Sequence, residues 1–390
     1  MKIVHVVDYL MPDMGYQEFL LAQYNLLEGH EVFIITSNKY YPVPNYNDTW
    51  KKILGPREKK VKNYSYKKIK ILQKKCIFEI RARPWISELE NDLFKIKPDI
   101  IMIHGTFSFS ALRVSLIKNK LNAKIILDNH MILAVTDKTI LGKISYVLFR
   151  ALIRPVIEKN VDKILGVTKE TCYYLKKFEG FKTKVSLLPL GVDTKTFYPL
   201  KIKKNKQQII LQSGKLNSDK KPQWLALAVL KILKEKKHNI KLVYVGNGDS
   251  KIIEDIKKIF KKNNFSANLQ FIDYSNLKKL NILYNKSAIC VFPEGTSLSS
   301  LQVAACKKPV IMANHPASKE KEKIGIGCTY KRGNLTDLSK KIVLILENKK
   351  LYKKICDSSY KAVIKNFCYR IISKKLINIS NNINSTGNLK

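Results

Sequence analysis

The chain has 390 residues, 45% of them apolar, and carries 72 basic against 31 acidic side chains for a net charge of +41. That length exceeds one ordinary core and calls for two domains of roughly 100–200 residues, and no run approaches the ~20 apolar residues that span a bilayer. Only eight of the basic residues are Arg; the charge therefore fits either a polyanionic partner or a generic lysine-rich surface, and it argues against sequence-specific nucleic-acid reading, which leans on the bidentate Arg fork.

The first residues enter a strand directly, Lys2–Val7, with no small-residue cleavage site behind them, so no signal peptide is expected. A helix follows at Gln17–Glu28, with apolar residues at helical spacing, and then a strand at Val32–Thr36. Residues Lys51–Cys76 form a basic run with Tyr64 and Tyr66 interleaved and Glu58 as its one acid. This run fits either a solvated loop or a surface that meets an anionic partner. Pro98–Ile103, Lys124–Leu127 and Lys163–Val167 are continuous apolar runs, the mark of strands covered on both faces; a helix follows the last of them at Lys169–Phe178. Strands alternating with helices predict a parallel, doubly wound sheet.

After Pro199 the polar stretch Leu200–Gln207 reads as a linker, and the alternation restarts. Strands are expected at Gln208–Gln212, Ile240–Val245, Leu269–Ile272, Ala288–Phe292 and Pro309–Met312. Helices are expected at Pro222–Glu235, Lys251–Lys262 and Lys278–Tyr284. Leu351–Ile379 reads as an amphipathic helix, and Ser380–Lys390 as a low-complexity, disordered tail. The expected division is an N-terminal domain over 1–199, a second over 208–365, and a C-terminal helix and tail over 366–390 that crosses back. The seven cysteines show no paired metal spacing and fit reduced core thiols of a cytoplasmic protein.

Several loops leave strands at the end where open α/β sheets bind ligands. Gly15 follows the first strand and precedes a helix start, which suits either a simple turn or close approach of the backbone to an anion. No Gly-x-Gly-x-x-Gly fingerprint accompanies it, which argues against a nicotinamide or flavin site. Lys215 and Lys220 flank the loop between Gly214 and the helix starting at Pro222; they suit either a shared pyrophosphate or a solvated surface. Gly246 closes the next strand. Glu294 sits where a strand hands over to a helix, with Gly295, Ser297 and Leu298 after it. Backbone N–H groups at such a helix start favour a phosphate, and a carboxylate there accepts from sugar hydroxyls and favours a developing oxocarbenium charge. His130 ends the run beginning at Lys124, and His104 ends the neighbouring one, where it reads as structural.

The stretch Val291–Ile311 resembles the donor-binding signature of family 4 glycosyltransferases: Glu294, Gly295, small residues and Leu298, then a second position eight residues on. There the family carries an acid and this chain carries Gln302; Lys307 also stands where the family has a glycine. Gly214, Lys215 and Lys220 match the family's Gly-Arg and later Lys, with Lys for Arg keeping the charge and losing the fork. Pro189–Asp193 with Phe197–Pro199 resembles the family's first-domain ending, and Asp273-Tyr274 replaces its usual glycine turn. The resemblance implies two facing Rossmann-like domains of the glycosyltransferase B type with an interdomain cleft. It also implies a retaining transfer from a nucleotide diphosphate sugar to an acceptor hydroxyl in polysaccharide or glycolipid synthesis. His130 and Glu294 would be the catalytic pair; Gly15, Gly214, Lys215, Lys220, Gly246, Gly295, Ser297, Leu298 and Gln302 would bind the donor. No cofactor or metal is expected, because lysines and backbone N–H groups would neutralise the leaving diphosphate. The expected partners are the nucleotide-sugar donor, a glycan or lipid-linked acceptor, and an anionic membrane surface met through Lys51–Lys75 on the cytoplasmic side, with no specific nucleic acid. A sugar-nucleotide epimerase of the same architecture, or a weakened basic binding paralogue, are the alternatives that Gln302 and Lys307 keep open.

Overall fold

The structure, a computed structural model, describes residues 1–43, 46–47, 50–133, 136–203, 206–236, 238–295 and 297–383. The chain divides into two units, Met1–Leu190 with Tyr369–Lys390, and Gly191–Cys368.

The first unit is built on strands β1 (Lys2–Val7), β2 (Glu31–Ser37), β3 (Asn63–Tyr66), β4 (Ile69–Lys74), β5 (Cys76–Glu79), β6 (Pro84–Ile86), β7 (Ile100–His104), β8 (Lys124–Asn129), β9 (Lys163–Gly166) and β10 (Val185–Leu187). Eight of these form one sheet in the order β10-β9-β8-β7-β1-β2-β4-β3, parallel except at the β3–β4 hairpin, while β5 and β6 pair separately. Both sheet faces are buried: in β1, Val4 and Val6 join one core while Ile3 joins another; β7 splits Ile101 and Ile103 from Ile100 and Met102 in the same way. That is why these strands read as unbroken apolar runs.

The second unit carries β11 (Gln208–Ser213), β12 (Ile240–Val245), β13 (Leu269–Ile272), β14 (Ile289–Phe292), β15 (Val310–Ala313) and β16 (Cys328–Tyr330) in the order β13-β12-β11-β14-β15-β16. Every pairing is parallel. Leu242 and Tyr244 point into one core and Val243 and Val245 into the other. The winding runs outward from β11 to β13, then returns to β14 on the other side of β11, so the switch point lies between β11 and β14. In the first unit it lies between β1 and β7.

The structure differs from the expectations at four places. The unit boundary falls at Leu190–Gly191, ahead of the expected linker: Phe197 is buried in a second-unit core, and the Leu200 amide donates to Asn285 Oδ1 at 2.8 Å. The basic run is no loop, since β3 and β4 lie within it with Ile69 and Ile71 fully buried; Lys74 pairs with Glu88 and Asp92, and Lys70 with Glu31. The single helix expected over Leu351–Ile379 is two, Lys349–Asn366 and Tyr369–Asn381, broken where Cys368 bridges to Val192. The second of these helices buries Tyr369, Ile372 and Leu376 in the first unit's core and runs through Ser380, which the tail reading had left unstructured. Positions 384–390 of that tail lie outside the described residues.

Candidate functional site

In the second unit the loops after β11 and β14 are neighbours because their strands are, and they enclose a cavity of about 180 Å³ at the switch point. Its walls include Gly214, Lys215, Lys220, Glu294, Gly295 and Ser297, together with Ser213 and Ser299. Six of the residues named from the sequence thus converge on one space. Thr296, part of the same predicted loop, lies outside the described residues.

The helix Leu298–Ala305 begins at this cavity. Its N-cap Ser297 is extended and makes no side-chain cap; the Ser300 amide donates to the Ser297 carbonyl at 3.2 Å, and the N–H groups of Leu298 and Ser299 open the helix at the end that favours an anion. Lys220 lies on a short turn and pairs with Asp219 Oδ2 at 2.7 Å. Gly246 does not line the cavity but shapes it. Its φ is +130°, and a Cβ built there would lie 2.3 Å from the Gly214 carbonyl oxygen. The Gly214 amide in turn donates to the Val245 carbonyl at 2.9 Å, and the Gly246 amide to that of Ile272. Loops after three adjacent strands are knitted together there, and only a glycine allows the contact.

Glu294 is held by groups that the motif reading missed. Arg332 Nη2 donates to its Oε1, and His315 Nε2 stands 3.6 Å from the same oxygen; Oε2 is buried with no hydrogen-bond partner among the described residues. Lys321 Nζ donates to the Ser297 carbonyl at 3.1 Å and to Ser300 Oγ at 2.9 Å, and burial lowers its ammonium from the usual lysine range. His315 lies just beyond the carboxyl end of β15 and Arg332 just beyond that of β16, while Lys321 is carried by the helix Pro316–Lys323 that follows β15; β15 pairs with β14, and β16 with β15. That position was the available signal, but β16 is short and went unread.

Gln302 and Leu298 are not among the cavity's walls as described. Leu298 packs on the core behind the helix, and Gln302, only 8% exposed, accepts from the Tyr284 hydroxyl at 3.4 Å; that hydroxyl also meets Ser213 Oγ at 2.8 Å. The structure thus places the Gln302 side chain against Tyr284. Its helical position, four residues beyond Leu298, turns it toward the sheet.

In the first unit, Gly15 adopts φ +72° ahead of the helix Gln17–Leu27. His130 ends a polar chain through the core. Ser373 Oγ donates to Asn25 Oδ1 at 2.7 Å, Asn25 Nδ2 to His5 Nε2 at 3.2 Å, His5 Nδ1 meets His104 Nε2 at 3.0 Å, and His104 Nδ1 meets Asp128 Oδ2 at 2.9 Å. The amide of Asn25 can only donate from nitrogen, so His5 Nε2 accepts and His5 carries its proton on Nδ1, toward His104 Nε2. Burial keeps His5 well below its ordinary pKa, consistent with that assignment. His130 Nε2 lies 3.6 Å from Asp128 Oδ2, and Gln17 Nε2 donates to the same oxygen at 3.2 Å. Burial opposes ionisation of Asp128, but the charge and hydrogen bond of His104, and then those of His130, outweigh it and hold the carboxyl below its usual range. In return, desolvation works against charge on His130, yet Asp128 outweighs it and raises the imidazole to about 9. So His104 is structural, as read, and the residue that sequence reasoning passed over is Asp128.

Two parallel, doubly wound sheets in one chain, the second with a polar cavity at its switch point, define the glycosyltransferase B architecture. Comparisons with known proteins agree. A family model described as "Glycosyltransferase Family 4" matches residues 20–196, and one described as "Glycosyl transferases group 1" matches residues 195–362. The chain belongs to the family 4 glycosyltransferases. Its fold is similar to a sucrose-phosphate synthase from Thermosynechococcus elongatus (15% identity, TM-score 0.71, 99% of this chain and 100% of that one covered). It is also similar to a glycosyltransferase from Rickettsia africae (18%, 0.70, 99% and 99%) and to HepE from Anabaena, solved with UDP and glucose (10%, 0.68, 98% and 100%). No curated protein matches the sequence.

Proposed function

We propose that the protein is a retaining glycosyltransferase that takes a sugar from a nucleotide diphosphate donor and passes it to a hydroxyl of a glycan or lipid-linked acceptor, in cell-surface polysaccharide or glycolipid synthesis on the cytoplasmic side. The observation that carries this reading is the convergence of Gly214, Lys215, Lys220, Glu294, Gly295 and Ser297 on one cavity at a sheet switch point. Lys215, Lys220 and the N–H groups of the helix start suit a diphosphate, which gains negative charge as the glycosidic bond breaks; stabilising that charge is commonly the largest catalytic term. Glu294, whose second oxygen has no partner among the described residues, would accept from a sugar hydroxyl. His130, kept charged by Asp128, takes the role the family resemblance implies, a hydrogen bond to the transferred sugar. Gln302 is given no donor contact.

The test is calorimetry with UDP and GDP on Lys215→Ala and Lys220→Ala, followed by product analysis with a panel of nucleotide sugars. Loss of a charge-assisted bond of about 1.5–3 kcal/mol should weaken the diphosphate at least about tenfold per lysine. Equal affinity in wild type and both variants would overturn the donor assignment. Product of inverted anomeric configuration would overturn the retaining course, and conversion of the donor sugar without acceptor would indicate an epimerase.

A further inference from the structure

The helix Ile140–Leu148 and the turn Phe149–Ile153 that extends it leave one side bare. Ile140, Leu141 and Leu152 are 76%, 68% and 65% exposed, and Ile144, Val147 and Leu148 are each about half exposed. These positions recur at helical spacing and fall on a single stripe. The opposite stripe anchors the helix: Tyr146 and Phe149 are buried, their rings 5.4 and 4.3 Å from that of Phe107. Scattered exposed aliphatics are ordinary, but a contiguous face of six on one helix is not.

This face is built rather than frayed. Thr139 caps the helix, its Oγ1 accepting from the Gly142 amide at 3.0 Å, and Asp137 Oδ1 accepts from both the amide and the hydroxyl of Thr139. A Cβ at Gly142 would lie 2.7 Å from Asp137, so the tight start depends on glycine. Asp137 also pairs with Arg81 at the tip of the β5–β6 hairpin, and that hairpin exposes Ile77, Phe78 and Ile80. A second apolar element is thus tied to the first.

The surrounding charge is positive. Lys75, Lys138 and Lys143 are exposed around these elements, and the guanidinium of Arg150 lies 5.6 Å from the Phe178 ring. The local acids are already neutralised, Asp137 by Arg81 and Glu79 by Arg57. We infer that this face docks the protein on an anionic lipid leaflet, the aliphatic stripe entering the acyl boundary and the lysines meeting the headgroups. Stable interfacial binding needs apolar insertion and electrostatic attraction together, and both occur here. A second copy of the chain is the weaker occupant, because it would bring like-charged rims together on a molecule of net charge +41. The lysines of Lys51–Lys75, several of them tied into the β3–β4 sheet edge, then add attraction and not insertion.

The inference takes up the cytoplasmic-face placement proposed above but rests on exposure and charge, and vesicle binding reads it with no donor or acceptor present. Full-length protein is sedimented with phosphatidylcholine vesicles with and without phosphatidylglycerol, at low and at high salt. Wild type should bind the anionic vesicles and retain part of that binding at high salt. The double variant Ile140→Ser with Ile144→Ser, checked by circular dichroism to melt as wild type, should bind at least about tenfold more weakly and lose the salt-resistant part. Lys138→Gln with Lys143→Gln should weaken low-salt binding and leave the salt-resistant part. Wild type that ignores both vesicle types, or a serine variant that binds as wild type, overturns the inference. So does light scattering that shows a dimer abolished by the serine pair without any vesicle binding. Donor turnover measured on the same proteins fails or survives separately.

Discussion

Replacing Asp128 with asparagine removes one buried charge and leaves the shape of the chain around it nearly intact. The amide oxygen can take the place of Oδ2 and still accept from His104 Nδ1 and Gln17 Nε2, while the amide nitrogen occupies the place of Oδ1, which has no partner among the described residues. What is lost is the field that raises His130 to about 9 from 6.5. At 1.36 kcal/mol per pKa unit, that difference amounts to about 3 kcal/mol at full value. The His130 side chain is 37% exposed, so solvent screening reduces it; taking about half leaves ~1.5 kcal/mol. The sign follows from the direction. A raised imidazole contributes stability that is whole below about 6.5 and disappears as pH rises through about 9. The stability gap between wild type and Asp128→Asn should therefore be widest in mild acid and narrow by ~1.5 kcal/mol across that window, above a constant offset from the buried amide. Urea denaturation at several pH values measures the gap, and histidine-selective NMR, with His130 assigned through His130→Gln, follows the imidazole. Glu18 is the other charge that raises His130, so some elevation should survive. A flat gap, or a His130 titration that the substitution does not move, would refute the reasoning.

Two further substitutions bear on the second unit. Gly246→Ala places a Cβ against the Gly214 carbonyl at a positive φ, and should cost about 1–3 kcal/mol in urea unfolding and displace the lysine loop, with weaker UDP binding as a second readout; a variant as stable as wild type would show that the loop yields freely. Gln302→Glu buries a carboxylate beside Tyr284, so its pKa should rise and stability should fall by about 1–3 kcal/mol as pH climbs above the carboxylate range near 4, with UDP affinity unchanged. Tighter UDP binding would return that side chain to the ribose.

The central strands of both sheets were legible because parallel strands covered on both faces have to be apolar throughout: Ile100–Ile103 and Ile289–Phe292 stand out against a lysine-rich background. The cavity was legible for a related reason, since Gly214, Lys215, Glu294 and Gly295 lie within a few positions of strand ends that the apolar runs locate. Less visible was anything whose partner is distant along the chain. Ser373 joins Asn25 across 348 residues, and the helix break at Phe367–Cys368 has neither glycine nor proline to announce it. Ile69 and Ile71 were hidden by the lysines that alternate with them; alternation is the mark of a half-buried strand, and the charge of the run drew attention away from its period.

Gln302 illustrates how a departure from a family pattern can be read. An acid in this place would have to stay ionised with the Tyr284 hydroxyl as its near neighbour, at a position that is almost closed to solvent. It would need a ligand hydroxyl or a cation to offset that burial. A glutamine needs neither: its amide is neutral, its oxygen is met by Tyr284, and that hydroxyl is shared with Ser213 at the end of β11. The substitution thus exchanges a group poised for a ligand for one that braces the helix of the cavity against the strand carrying the lysine loop. Under the proposed function, donor recognition would then fall on groups nearer the opening, the two lysines, the helix N–H groups and Glu294. Arg332 already holds one oxygen of that last group, and the other has no partner among the described residues.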